Sequence, residues 1–207
     1  MSEREFSLGA AMAGGNANKD RAKPDNEFFP TPVEAIDALM EHEGGALRRY
    51  ERIWEPCCGN GQSARALEFY RFEVIGTDLI DRGYGTGSLD FLQWEGTPPA
   101  KAIVSNFPFS LALEFVLKAK SLGIEYMAVL HKTTYWNATD RDRLWAIWQP
   151  ARRYSLTFRL DFLGLGGGTM DCDWYVWDIA HTHPESFWRR MGKPPARGQF
   201  NLLGDGR

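Results

Sequence analysis

Beyond residue 26, apolar and polar positions alternate in two periods. Short apolar runs of four to six residues are separated by amphipathic stretches of helical period. Residues 52–55 (RIWE), 73–78 (EVIGTD), 102–105 (AIVS) and 126–131 (YMAVLH) read as strands. Residues 62–70, 111–121 and 139–148 read as helices between them, the second with Leu111, Phe115 and Ala119 at helical spacing and the third with Asp140 near its start, where it favours the helix dipole. An earlier helix is expected over 33–42, with Pro32 in its first turn and Thr31 as N-cap. Residues 153–162 and 173–180 read as two strands joined by the glycine-rich turn Gly164-Leu-Gly-Gly-Gly168. Strands alternating with helices and ending in a hairpin predict an α/β fold, mostly parallel, with one antiparallel strand.

The flanks differ. Residues 1–26 are rich in Gly, Ala, Asn and charge and hold too little apolar surface to fold alone, so a flexible N-terminal arm is expected there. Residues 188–207 carry Arg189, Arg190, Lys193, Arg197 and Arg207 with Pro194-Pro195, which predicts a flexible, mildly basic tail. The domain itself is expected over 27–187. With 207 residues, 43% hydrophobic and 25% charged, one globular domain with a substantial core is the expectation.

The formal net charge of -3 excludes a global basic field, so any nucleic-acid contact needs a local patch. Lys132, Arg141, Arg143, Arg152 and Arg153 are candidates for that patch. The three cysteines, Cys57, Cys58 and Cys172, form no C-x-x-C pair, and His181 and His183 have no complementary acid, so no metal is assigned. Absence of a secretory pattern, of a membrane-length apolar run and of a disulfide framework points to a reducing cytosol, with no membrane partner.

The candidate chemistry lies at strand ends. Glu55-Pro56-Cys57-Cys58-Gly59-Asn60-Gly61 places two glycines between a strand and a helix, where a ligand can approach the backbone. Glu55 sits beside that loop, Asp78 closes the next strand, and Asp90 (in SLDFL) is a third acid. Three carboxylates repel phosphate, and the ligand that fits is a nucleoside carrying positive charge, with Asp78 suited to ribose hydroxyls and Asp90 to an adenine amine. Cys57 and Cys58 read as small loop-packing residues rather than nucleophiles. After the third strand comes Asn106-Phe107-Pro108-Phe109. The side-chain carbonyl of Asn106 and the main-chain carbonyl of Phe107 can accept the hydrogens of an aromatic amine, Pro108 stiffens the turn, and Phe109 can stack on a base. His131 at the end of the fourth strand reads as structural, and Trp174 and Trp177, on opposite faces of the last strand, as core.

This order of motifs resembles the class I S-adenosylmethionine-dependent methyltransferases, and Asn106-Phe107-Pro108-Phe109 resembles the Asn/Asp-Pro-Pro-Tyr/Phe motif of adenine-N6 methyltransferases, with Phe107 in place of the first proline. Phe28-Phe29-Pro30-Thr31-Pro32 is similar to the additional cofactor-binding motif of DNA amino-methyltransferases. The segments 129–136, 141–154 and 172–178 look like those of small phage and prophage DNA adenine methyltransferases. The resemblance implies a Rossmann-like fold with a mostly parallel seven-stranded sheet and an antiparallel C-terminal hairpin strand. It implies S-adenosylmethionine as cofactor, held by Phe29, Thr31, Glu55, Pro56, Cys57, Gly59, Gly61, Asp78, Leu79, Asp90 and Phe91. It further implies methyl transfer at Asn106, Phe107, Pro108 and Phe109 to adenine N6 in DNA, with base flipping. RNA as substrate, since the Asn-apolar-Pro-aromatic order also resembles ribosomal-RNA adenine dimethyltransferases, and a catalytically silent binding module stay open alternatives. The setting implied is the cytoplasm of a bacterium or a phage-infected host.

Overall fold

The computed structural model describes residues 28–137, 139–168 and 170–197. The arm expected over 1–26 lies outside these residues. Seven strands form one sheet: β1 (Arg52–Glu55), β2 (Glu73–Gly76), β3 (Ala102–Ser105), β4 (Tyr126–Lys132), β5 (Arg152–Leu156), β6 (Cys172–Asp178) and β7 (Phe187–Met191). Their order is β2-β1-β3-β4-β6-β5-β7. All neighbouring pairs are parallel except those made by β6, which is antiparallel to both β4 and β5.

Two helices, α1 (Val33–Leu47) and α2 (Gln62–Phe69), cover one face, and α3 (Ala112–Ser121) and α4 (Asp142–Ile147) the other. Both faces being covered explains the unbroken apolar run of β4: Tyr126, Ala128 and Leu130 pack toward α1, while Met127 and Val129 pack toward α3. The same alternation buries both tryptophans of β6. Trp174 joins the α1 side and donates from Nε1 to the Ala35 carbonyl at 3.1 Å; Trp177 joins the α3 side and donates to the Trp148 carbonyl at 3.0 Å.

At the amino-terminal edge of the parallel strands, buried Glu43 of α1 accepts from Tyr126 Oη at 2.9 Å, Tyr154 Oη at 2.5 Å, and Arg152 Nε and Nη2 at 2.5 and 2.9 Å. Arg152 also reaches Asp178 at 2.8 Å, which is bonded in turn by Arg49 at 2.6 Å. A buried carboxylate survives here because every lone pair in reach meets a donor.

Three expectations need correction. Of the tail expected to be flexible over 188–207, residues 198–207 lie outside the described residues, and the start instead contributes β7, because Phe187–Met191 pairs with β5 in parallel and buries Met191 in the core. Further on, Arg197 straddles the Asp37 carboxylate, with Nε 3.0 Å from each oxygen, and lies 4.2 Å from the Phe69 ring centroid. Thr31 does not cap α1: Pro32 occupies the N-cap position and no side chain closes it. The strands of the expected hairpin are shorter than their apolar pattern, with a single bridge, Leu160 to Met170, inside the long β5–β6 connection.

Candidate functional site

The strand order turns back between β1 and β3, and a cleft opens outside their carboxyl ends, as a topological switch point in an open α/β sheet favours. Of the residues singled out in the sequence, Phe29, Thr31, Glu55, Pro56, Cys57, Gly59, Asp78, Leu79, Asp90, Phe91, Asn106 and Pro108 line it together. They come from five separate stretches of chain.

Glu55 ends β1 and is 1% exposed. Its Oε1 accepts from Ser63 Oγ in the first turn of α2, while Oε2 is buried with no partner. Burial pushes this carboxyl up to about 8, with nearby Asp78 adding to the rise and the Ser63 bond opposing it. An orphaned carboxylate oxygen in a cleft suits a ligand that brings its own positive charge.

Asp78 follows β2 and organises the loop. Its Oδ2 accepts from Gly59 N at 2.8 Å and its Oδ1 from Ile80 N at 2.9 Å. The glycine loop thus spends an amide on a carboxylate instead of presenting it to a phosphate, in keeping with a nucleoside rather than a pyrophosphate ligand. Each Asp78 oxygen keeps a second lone pair for a hydroxyl. Asp90 accepts from Leu92 N at 2.8 Å and thereby starts a short 3-10 turn, Phe91–Gln93, whose Phe91 is core. Leu79, an apolar side chain left 59% exposed, borders the same cleft.

The two glycines have different reasons. Gly59 has φ 53°, and a Cβ there would stand 2.6 Å from Phe28 Cε2, so the Phe28 ring lies against the loop, with Arg82 4.4 Å from its centroid. Gly61 does not line the cleft as expected. It has φ 79° and a bare Cα that receives the Tyr84 ring; a Cβ would come within 2.2 Å of Tyr84 Cγ. Gly61 therefore packs the loop over 79–87 rather than a ligand.

Asn106 follows β3. Its Nδ2 donates to the Phe29 main-chain carbonyl at 3.1 Å, and its Oδ1 is buried without a partner. The bond fixes which end of the amide is committed, leaving the acceptor uncommitted. Phe107 turns away: its ring is 1% exposed and packs with Phe115 at 5.0 Å and Phe91 at 6.0 Å, so only its main chain is available to the site. Phe109 is not an open stacking platform. Its ring stacks on Phe29 at 5.5 Å, meets His131 edge-on at 4.9 Å and has Lys132 Nζ 5.2 Å from its centroid, because an aromatic at a strand end buries against its neighbours first.

Other candidates are held in packing or pairing roles. Burial drives His131 down to about 3, so its ring is neutral and structural. Burial raises the Cys57 thiol well above its ordinary value and Cys58 to about 12, which rules out a reactive thiolate. Arg152 lies at the opposite edge of the sheet with Glu43, and Arg153 is held by Asp173 at 2.6 Å, so neither is a loose phosphate contact. The Arg141 guanidinium sits over the Tyr135 ring at 4.5 Å, and the side chain of Arg143 lies outside the description. Among the described residues no group of three or more His, Cys, Asp or Glu is arranged to hold a metal ion, and no helix is long and apolar enough to cross a membrane.

Ser63, Arg82 and Tyr84 are residues of the site or its walls that pattern did not single out. A serine in the first turn after a glycine loop is a weak signal, and nothing local marks Tyr84 as packing on Gly61 or Arg82 as lying over the Phe28 ring.

The arrangement has the Rossmann-like class I methyltransferase fold. No family model matches the sequence, and no curated protein matches it. Among solved structures, the chain is similar to a proposed class I S-adenosylmethionine-dependent methyltransferase from Listeria monocytogenes, with TM-score 0.59, 12% identity, and coverage of 82% of this chain and 68% of that one. It is similar to a proposed RNA methyltransferase from Pyrococcus horikoshii, with TM-score 0.58, 14% identity, and coverage of 82% and 94%. It is also similar to the modification subunit of a proposed type I restriction enzyme from Vibrio vulnificus, with TM-score 0.56, 12% identity, and coverage of 84% of this chain but 49% of that one. At these identities the likeness is one of fold.

Proposed function

We propose that this protein transfers a methyl group from S-adenosylmethionine to the N6 amine of adenine in DNA. The observation that carries the reading is a pair of buried oxygens without partners, Glu55 Oε2 and Asn106 Oδ1, at the ends of adjacent parallel strands beside one cleft. One is an acceptor for a cationic amine and the other for a neutral aromatic amine.

When bound, S-adenosylmethionine supplies an electrophilic methyl group on a sulfonium. Glu55 would hold its amino-acid part, Asp78 its ribose and Asp90 its adenine, with Leu79 and Phe91 on the ring. Asn106 then acts on the acceptor. The lone pair of adenine N6 is delocalised into the ring, and a carbonyl aimed at the amine hydrogens favours the tetrahedral nitrogen that can attack. Asn106 Oδ1 and the main-chain carbonyl of Phe107 would accept those two hydrogens, the first of them held in orientation by the bond from Asn106 Nδ2 to Phe29. No strong base is required, since the nitrogen loses its proton after transfer. The motif order, which resembles that of phage-type DNA adenine methyltransferases, supports DNA as the polymer and points to the cytoplasm of a bacterium or an infected host.

The test is transfer of labelled methyl from S-adenosylmethionine to DNA and to RNA, with N6-methyladenine measured by mass spectrometry. N6-methyladenine in DNA, lost in Asn106→Ala, is the expected result. Labelling of RNA alone would move the substrate to RNA, and binding of the cofactor with no transfer to either polymer would make the protein a silent binding module.

A further inference from the structure

A strip of aromatic and cationic side chains runs from the Asn106 turn to the outer edge of the sheet. It begins at Phe109, with Lys132 Nζ 5.2 Å from the ring centroid. The next residue, Thr133, offers its carbonyl to Arg153 Nη2 at 3.4 Å, and the Arg153 guanidinium lies 5.4 Å from the Trp136 centroid. Arg153 is the register partner of Trp188 on β7, and Ser155 that of Arg190. Paired residues of parallel strands share a face, so Arg153, Ser155, Trp188 and Arg190 stand on one side.

Trp188 is the unusual member. It is 61% exposed, yet its Nε1 donates to Ser155 Oγ at 2.9 Å, so the indole is pinned with most of its surface open to solvent. Charge alone would blunt an edge strand against unwanted pairing; a pinned, exposed indole is not needed for that. The stretch 186–197 contains Arg189, Arg190, Lys193 and Arg197 and no acid, in a chain of net charge -3. Among the described residues no carboxylate pairs with Arg189 or Arg190. Arg190, on the same face as Trp188, thus stands as an unpaired cation beside a fixed aromatic surface, the chemistry that holds an unpaired nucleic-acid strand by stacking on bases and by meeting phosphates. From β3 to β7 the strip crosses four strand spacings, roughly 19 Å, room for several nucleotides beside the target.

We propose that the open end of this strip, Trp188 with Arg190, holds unpaired DNA flanking the target adenine, so that the acceptor is a single strand. The proposal rests on the methyltransferase reading above for its direction, since it starts at Asn106. The experiment uses the full chain with a fluorescent single-stranded deoxyoligonucleotide containing one adenine, its duplex, and a single-stranded RNA of the same sequence.

Trp188→Ala should weaken single-strand binding about tenfold or more, and Trp188→Phe should retain most of it. Arg190→Gln should flatten the dependence of log affinity on log salt by about 0.7. Affinity for S-adenosylmethionine and Tm should match the wild type in all three variants. Single-strand affinity unchanged in both Trp188→Ala and Arg190→Gln overturns the proposal. So does equal weakening on the duplex, or tighter wild-type binding to the RNA than to the DNA strand. A smaller species for Trp188→Ala in sedimentation would assign the edge to a second copy of this chain and also overturn it. If the wild type binds the strand through Trp188 but transfers no methyl group, the strip stands and the methyltransferase reading falls. If transfer proceeds and Trp188→Ala leaves KM for the strand unchanged, the reading stands and the strip falls.

Discussion

Asn106 and Phe29, 77 positions apart, meet through one hydrogen bond: the side-chain Nδ2 donates to the main-chain carbonyl at 3.1 Å. Because that carbonyl can only accept, the amide has one orientation, and Oδ1 is left as the acceptor. The segment before α1 and the turn after β3 thus build the acceptor together.

Asn106→Ala should lower kcat by about 10²–10³, the loss found when one preorganised transition-state partner is removed. Asn106→Asp keeps an acceptor but loses the donor to Phe29, and should fall between the alanine variant and the wild type. Single-turnover methyl transfer at saturating cofactor measures both. Cofactor affinity should change little in either, and its collapse in both would assign Asn106 to cofactor binding instead.

Burial of Glu55 makes ligand-free stability depend on pH in a definite sense. Its folded value of about 8 lies above the ordinary 4.5, so between those pH values the folded chain keeps a proton that the unfolded chain has lost. This contribution is complete below about 4.5 and is lost as pH rises to about 8. Glu55→Gln should remove the dependence, with Tm above that of the wild type at pH 8 and close to it at pH 5. A cationic amine needs the ionised carboxylate, so wild-type affinity for S-adenosylmethionine should rise from pH 6 to pH 8 while that of Glu55→Gln stays low and flat. Calorimetric titration across that range measures the affinities.

Gly61→Ala should destabilise the chain by about 1–3 kcal/mol, the scale for a non-glycine residue held in a left-handed or otherwise strained conformation. The Tyr84 ring must also move away from the new methyl group. Denaturant unfolding measures the loss. A Tyr84→Ala background should recover the part due to the clash and leave the part due to φ.

Glu43→Ala should cost about 3–5 kcal/mol, because it leaves the partly buried Arg152 to Asp178 and removes the acceptor of two tyrosine hydroxyls. The site lies at the opposite edge of the sheet from the cleft. Tm should fall steeply while KM for the methyl donor stays near the wild-type value, which separates a stability loss from a binding one.

The alternation of apolar runs and amphipathic stretches determined β1 to β4, α2 and α3 nearly to the residue, since buried strands and one-sided helices each impose a period on the chain. It also exposed Glu55, Asp78 and Asn106, because acids and amides at strand ends interrupt that period. β7 was not legible. Phe-Trp-Arg-Arg-Met has no clean alternation, as an edge strand is covered on neither side for most of its length, and only pairing with β5 makes it a strand.

The side-chain assignments within motifs were likewise beyond the sequence. Phe107 and Phe109 are two positions apart in one short turn, yet one ring joins the core with Phe115 and the other lies against Phe29. Gly59 and Gly61 belong to one loop, yet one borders the cleft and the other accepts Tyr84. Local pattern fixes which residues come to the carboxyl ends of the strands, because strand period and turn chemistry act over a few bonds. Which atoms face the cleft and which face the core depends on rings and carbonyls brought from distant parts of the chain, and those meet only when the sheet has formed.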